Sequence, residues 1–212
     1  MKEYHKIETV FERDIDGSKK LIEGKFRNET VEFLKNNMWQ FTEKIDGTNI
    51  RVCWDGHNIS YLGRTIQSQI PTHLFKYLDE LFHNDSTEEL FEQMFGEKEV
   101  VLFGEGYGTK IEKVGGLYRQ DVSFILFDVM IDGVYLARSN VENIATSLGI
   151  EVVPIVLEGT IPDAVEFVKS CPKSTIGQAP MEGVVGRPKV EIMDRLGNRL
   201  IVKIKVCDFK NN

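Results

Sequence analysis

A chain of 212 residues with 42% hydrophobic content has room for one large domain or two small ones around a substantial core. Its formal net charge of −7 argues against a broad basic surface for nucleic acid, while leaving room for a local basic groove. No segment supplies the roughly 20 apolar residues of a membrane helix, which argues against a membrane protein.

From the N-terminus, Met1-Lys2-Glu3-Tyr4-His5-Lys6 has no apolar core of a secretory signal. Lys44-Ile45-Asp46-Gly47-Thr48-Asn49 is the most informative stretch. Gly47 permits a turn with positive φ or a close approach to a ligand. Lys44 can present an amine that attacks a nucleotide α-phosphate. Taken alone, the hexapeptide fits a surface turn with a solvated lysine equally well. Arg51–Trp54 and Ile59–Leu62 flank Asp55-Gly56, which predicts a hairpin. Helices are expected at about 71–83 and 87–95, the second opened by a capping box at Ser86 and Glu89. Val100–Phe103 and Phe124–Val129 read as buried strands.

Between those strands, Gly104-x-Gly106-x-Gly108 lacks both the Gly-Lys-Ser/Thr of a Walker loop and a dinucleotide-binding βαβ context. Further helices are expected at about 139–148, with a capping box at Ser139 and Glu142, and at 162–169, with Pro162 in the first turn. A last hairpin is expected between Glu191–Met193 and Leu200–Val202, turning through Leu196-Gly197-Asn198. Antiparallel strands with helices outside them make an α+β domain, expected to span 1–212 as one unit.

Cys53, Cys171 and Cys207 are widely spaced, without a Cys-x-x-Cys, so neither zinc nor a disulfide framework is expected, and a reducing cytoplasm is the natural compartment. His5, His57, His73 and His83 show no metal-ligand spacing. Lys110 with Lys113 and Arg119, and Arg187 with Lys189, either line a local basic groove or are solvated loop charge.

Five segments in order carry a resemblance. Glu43–Asn49, Phe103-Gly104-Glu105, Phe124–Asp128, Met181–Val185 and Val202–Val206 resemble the nucleotidyltransferase motifs of the covalent ligase and capping-enzyme superfamily. Asn49, where DNA ligases and capping enzymes place arginine, is similar to the Glu-Lys-x-x-Gly-Thr-Asn of nick-sealing and RNA-editing RNA ligases. Asp46 departs from that pattern, in which several members carry histidine.

The resemblance implies two antiparallel β-sheets flanking a nucleotide pocket, with peripheral helices. It implies ATP as AMP donor, Mg²⁺ or Mn²⁺ as cofactor, and RNA ends or a nicked duplex containing RNA as substrate. Lys44 would be the nucleophile. Glu43, Ile45, Asn49, Arg64, Glu105, Phe127, Lys203 and Lys205 would contact nucleotide, and Glu182 the metal. Within this set Glu105 would hold the ribose, Phe127 (with Phe124 as the fallback) would stack on the purine, and Lys203 and Lys205 would meet the α-phosphate. Lys203 and Lys205, two apart on a strand, share a sheet face, as two cations on an edge strand or as two reaching one triphosphate. Lys203, Lys205 and Arg64 are the cations expected to favour a neutral Lys44 amine. Arg51 lies too close to the first motif for the ligand role assigned to Arg64.

Only seven residues follow Lys205, so neither a C-terminal OB-fold nor a helical domain is expected, and a partner subunit could replace it. The expected activity is ATP-dependent joining of 5′-phosphate and 3′-hydroxyl RNA ends through a lysyl-AMP intermediate. The alternatives are a minimal DNA ligase, or a non-catalytic nucleotide- or RNA-binding relative.

Overall fold

The computed structural model describes residues 3–18, 20–194 and 197–209. In chain order the strands and helices are β1 (Glu8–Thr9), β2 (Phe11–Arg13), β3 (Leu21–Phe26), α1 (Glu29–Phe33), β4 (Trp39–Lys44), β5 (Thr48–Trp54), β6 (Ile59–Leu62), α2 (Thr72–Phe82), α3 (Asp85–Phe95) and β7 (Val100–Gly108). They continue with α4 (Gly115–Tyr118), β8 (Val122–Ile131), β9 (Val134–Tyr135), α5 (Arg138–Leu148), β10 (Glu151–Val152), β11 (Ile155–Gly159), α6 (Ile161–Lys169), β12 (Gly183–Pro188) and β13 (Val202–Lys205). The fold is α+β, as expected, and its contacts divide it into two compact units. One gathers the N-terminal residues through His5 with Asp46–Val153. The other gathers Lys6–Ile45 with the chain from Pro154 onward.

The first unit is a six-stranded sheet in the order β10-β8-β7-β5-β6, with β9 on β8. The predicted hairpin is its β5–β6 pair, with Arg51 opposite Leu62 and Trp54 opposite Ile59. Asp55 closes the connection by accepting the amides of His57 and Asn58. One face carries Ile50, Val52, Leu102, Phe124 and Leu126 and is covered by α2, α3 and α5. The helices bury residues at helical spacing: Leu74, Leu78 and Phe82, then Phe91 and Phe95, then Val141 and Ala145. Gly104 faces these helices, where an added Cβ would strike the Phe124 ring. The glycine beside Glu105 therefore makes room for core side chains. This segment is strand, not a phosphate loop.

The second unit is a five-stranded sheet in the order β1-β13-β12-β4-β11, beside a β2–β3 pair. Trp39, Phe41, Val184 and Ile204 fill its covered face together with Ile161, Ala164, Val165 and Val168 of α6. Both sheets are antiparallel except at one outer strand each, where β10 runs parallel to β8 and β1 to β13. The expected last hairpin survives as a bridge between Met193 and Arg199; Leu196 of its turn lies outside the described residues.

Helix starts differ from expectation in two places. The cap of α3 is Asn84, whose side chain accepts the Thr87 amide, while Ser86 only donates to Asn84. The α5 helix begins after Ala137 without a side-chain cap, and Glu142 pairs with Arg138 instead. Helix α6 has Pro162 in its first turn and a reciprocal Thr160–Asp163 cap. No helix among the described residues is long and apolar enough to cross a membrane.

Because Gly104 admits the Phe124 ring, Gly104→Ala should destabilise the protein by about 1–3 kcal/mol, read as a lower urea midpoint at unchanged m-value.

Candidate active site

The second unit assembles a charged row from three strands. Gly183 pairs with Lys44 on β4 and with Lys205 on β13, so the lysines flank the start of β12. Along β4 the side chains alternate, with Trp39, Phe41 and Glu43 buried and Gln40, Thr42 and Lys44 on the more open face. Glu182, the residue before β12, lies between the two ammonium groups. Its Oε2 is 2.6 Å from Lys44 Nζ and its Oε1 is 2.6 Å from Lys205 Nζ. Gly183 lets the strands close up here, since an added Cβ would strike the Ile204 carbonyl oxygen.

Lys203 lies two residues before Lys205, opposite Val185, and shares its sheet face. β13 has a neighbour on each side, β1 and β12, so this lysine pair is not an edge-strand device. The partner of Lys44 is an acid that the sequence did not assign to it. Its contact is the Glu182 carboxylate rather than a cation, so Lys205 reaches Lys44 through a shared acid. Two lysines on one acid leave a net positive group, suited to charge-assisted hydrogen bonds with phosphate oxygens. Burial works against the Lys205 ammonium, but the hydrogen bond and charge of Glu182 prevail and raise its pKa above the ordinary lysine value.

Glu43 points the other way. It is 1% exposed, and its carboxylate accepts Ser174 Oγ at 2.5 Å, the Thr175 amide at 2.9 Å and Thr175 Oγ1 at 2.5 Å. The side chain expected to meet nucleotide instead anchors the loop that leads to Glu182. Ile45 is likewise buried. Nothing in the sequence pairs Glu43 with Ser174 and Thr175, which lie in an unpatterned polar stretch.

In the first unit, Asn49 on β5 stands directly opposite Glu105 on β7, which stands opposite Ile125 on β8. This row lies on the face away from α2, α3 and α5, because its neighbours Ile50, Gly104 and Leu126 face the helices. Asn49 Oδ1 is buried without a hydrogen-bond partner among the described residues, an acceptor suited to a ligand donor. An added Cβ on Gly47 would come 2.9 Å from Glu105 Cγ, so the backbone here lies close against the Glu105 strand, and its φ is not positive. The Asp46 amide donates to the Tyr118 hydroxyl, a partner with no signal in the sequence.

The β7–β8 register shifts between Phe103 and Gly104, which pair with Asp128 and Leu126, leaving Phe127 as the extra residue of a β-bulge. Phe127 packs on Cys53, Val101, Phe103 and Met130, on the same face as Glu105. The fallback Phe124 is 1% exposed within the helix-covered core, where it cannot stack on a ligand. Arg64 is exposed at the end of β6, just after Gly63, whose carbonyl accepts Nε of the fully buried Arg51. Arg51 therefore fixes the turn that carries Arg64. Burial raises the Cys53 thiol to about 11, which removes it as a nucleophile.

A family model described as RNA ligase matches residues 37–205. The chain is similar to solved structures of a Naegleria gruberi RNA ligase. With a mutant of that enzyme bound to ATP and Mn it shares 19% identity at a TM-score of 0.64, covering 95% of this chain and 55% of the other. With a mutant bound to AMP and Mn the values are 18% and 0.62, covering 84% and 52%. A structure of that ligase with PPi gives 20% and 0.62, covering 84% and 52%. The chain thus spans about half the length of these ligases. No curated protein sequence matches the chain.

A raised folded-state pKa means that Lys205 contributes stability which is present below the ordinary lysine value of 10.5 and lost as pH rises through the raised value. The gap in unfolding free energy between the native protein and Lys205→Met should therefore hold steady while the pH stays below the ordinary lysine value of 10.5 and narrow as the pH rises above it, read in urea titrations.

Proposed function

The chain belongs to the RNA ligase family, and from that membership we propose that it is an ATP-dependent RNA ligase working through a lysyl-AMP intermediate on Lys44. The observation that carries this reading is the Lys44–Glu182–Lys205 bridge, which gathers a nucleophile, an acid and a second cation on one sheet. The similar Naegleria gruberi ligase has structures with ATP and Mn, AMP and Mn, and PPi, and these support the same substrate, metal and product here.

In the first step Lys44 Nζ, relieved of a proton, attacks the α-phosphorus of ATP. A P–N bond forms, the bond to the bridging oxygen breaks, and pyrophosphate leaves with the electron pair. Lys205 and Lys203 steady the charge that grows on the α-phosphate. An oxygen of an RNA 5′-phosphate then displaces Lys44 from the AMP phosphorus, and the lysine regains its proton. Last, a 3′-hydroxyl oxygen attacks the 5′-phosphorus, losing its proton, and AMP departs.

Glu105 is assigned to the ribose hydroxyls, Phe127 to the purine face, Arg64 and Asn49 to ligand contacts, and Ile45 to a backbone contact. Glu43 acts by setting the 174–175 loop. Among the described residues no group of three or more His, Cys, Asp or Glu could hold a metal ion. Mg²⁺ or Mn²⁺ would be held by the single carboxylate of Glu182 together with substrate phosphates, as is usual for hard cations bound with nucleotides. When bound, such a cation offsets charge on the attacked phosphate and on pyrophosphate. The odd, widely spaced set of cysteines, without a Cys-x-x-Cys, is what supports a reducing, cytoplasmic setting.

Incubation with labelled ATP and Mg²⁺ or Mn²⁺ should give an acid-labile adduct on Lys44. Lys44→Ala and Lys44→Arg should abolish it, since a guanidinium stays charged and cannot attack. An adduct on another residue would overturn the assignment.

On matched nicks, sealing should follow the 2′-hydroxyl near the 3′ end, with all-DNA nicks poor and activity falling steeply with salt. Preference for all-DNA nicks would make the chain a DNA ligase. Adenylylation without sealing would indicate that a partner subunit completes the enzyme.

A further inference from the structure

Phe127 is the extra residue of the β7–β8 bulge, so the strand ladder does not fix the direction of its ring as it would for an in-register residue. The bulge also turns Phe127 and Asp128 onto the same face. Phe127 packs there with Phe103, while Asp128, paired with Phe103, is 0% exposed. A base-stacking ring in such a place needs a second support to hold its plane, and Tyr4 supplies it. Its ring meets Phe127 edge to face at 5.1 Å and 78°, and Phe103 at 5.0 Å. Its hydroxyl donates to Asp128 Oδ2 at 2.8 Å, while Asp128 Oδ1 accepts the Val129 amide. His5 stacks on Tyr4 at 4.8 Å, and Tyr135 closes the cluster at 5.9 Å.

We infer that Tyr4 is a positioning residue for nucleotide binding, clasping both residues of the bulge so that the Phe127 ring is held ready for the purine. This inference rests on the ligase reading and on the base-stacking role of Phe127. It goes beyond both, since Tyr4 lies outside the 37–205 segment that the family model matches. Asp128 explains why the support is a tyrosine. A buried carboxylate is costly unless hydrogen-bonded, and the hydroxyl meets that need while fixing the ring that touches Phe127. Phenylalanine at position 4 would keep the ring contact and lose the anchor.

The test measures lysyl-AMP formation against ATP concentration, and separately the ATP-induced rise in Tm, for the native protein, Tyr4→Ala, Tyr4→Phe, Phe127→Ala and Tyr4→Ala/Phe127→Ala. Tyr4→Ala should raise the ATP needed for half-maximal adduct by roughly three- to tenfold, with the maximal rate within about twofold. A merely structural role would instead lower the amount of active protein and leave half-saturation unmoved. Tyr4→Phe should shift it less than Tyr4→Ala. The double variant should be no worse than Phe127→Ala alone, because both changes remove one interaction.

Unchanged half-saturation in Tyr4→Ala beside a shift in Phe127→Ala would overturn the inference, as would full additivity. No shift in Phe127→Ala, with the adduct still on Lys44, would remove the stacking role and the inference with it while sparing the ligase reading. If the native protein forms no adduct, the ligase reading fails on its own. The inference then stands if ATP still raises Tm and Tyr4→Ala loses that rise, and it falls if ATP raises Tm equally in both or in neither.

Discussion

Glu182 holds two ammonium groups at once, and the charged site of the second unit depends on that shared acid. Without it, Lys44 and Lys205 would face each other across β12 as like charges in a partly desolvated place, and each would push the other's side chain toward solvent. With it, both lysines are held on one row without a rigid covalent link. The row itself depends on β12 being central, since only a strand paired on both sides can set the register of β4 and β13 together. Either ammonium can exchange the bridging carboxylate for a phosphate oxygen at modest cost, because one anionic acceptor replaces another.

Much of this was legible in the sequence for identifiable reasons. The β5–β6 hairpin followed from strand-forming residues either side of Asp55-Gly56, and the helices expected at about 71–83, 87–95, 139–148 and 162–169 are found as α2, α3, α5 and α6. Lys203 and Lys205 share a sheet face, as their i, i+2 spacing implied, and Lys44 and Lys205 both touch Glu182. Local grammar failed where tertiary structure overrode it. Ser86 and Ser139 each begin a capping pattern, yet Asn84 caps α3 and nothing caps α5. The two-residue strands β1 and β10 are too short to carry any period, so their parallel pairing was invisible.

The harder omissions concern buried acids. Glu43 and Asp128 are 1% and 0% exposed, and although both lie inside motif segments, their sequence context does not show that their carboxylates turn inward. Their partners, Ser174 and Thr175 for one and Tyr4 for the other, lie more than 120 residues away along the chain. No local pattern encodes such pairings. In both cases a carboxylate next to a proposed ligand residue is turned inward and tethers a distant segment. Fully satisfied buried polar groups of this kind hold their neighbours in one arrangement more tightly than apolar packing does.

The chain passes between its two units after His5, after Ile45 and after Val153. On the ribosome this ordering has a temporal meaning. The β5–β10 sheet is encoded without interruption between Thr48 and Val152, so it can pair as soon as that stretch has emerged. The strand bearing Lys44 must wait, because its neighbours β11 and β12 begin only at Ile155 and Gly183, and β1 meets its partner β13 only after Val202 is made. The last joints to close are those of highest sequence separation, the slowest class of contact to form. Lys44 is thus mounted between its strand neighbours only after Gly183 has been made, and a nascent chain carries its amine long before it carries Glu182 and Lys205.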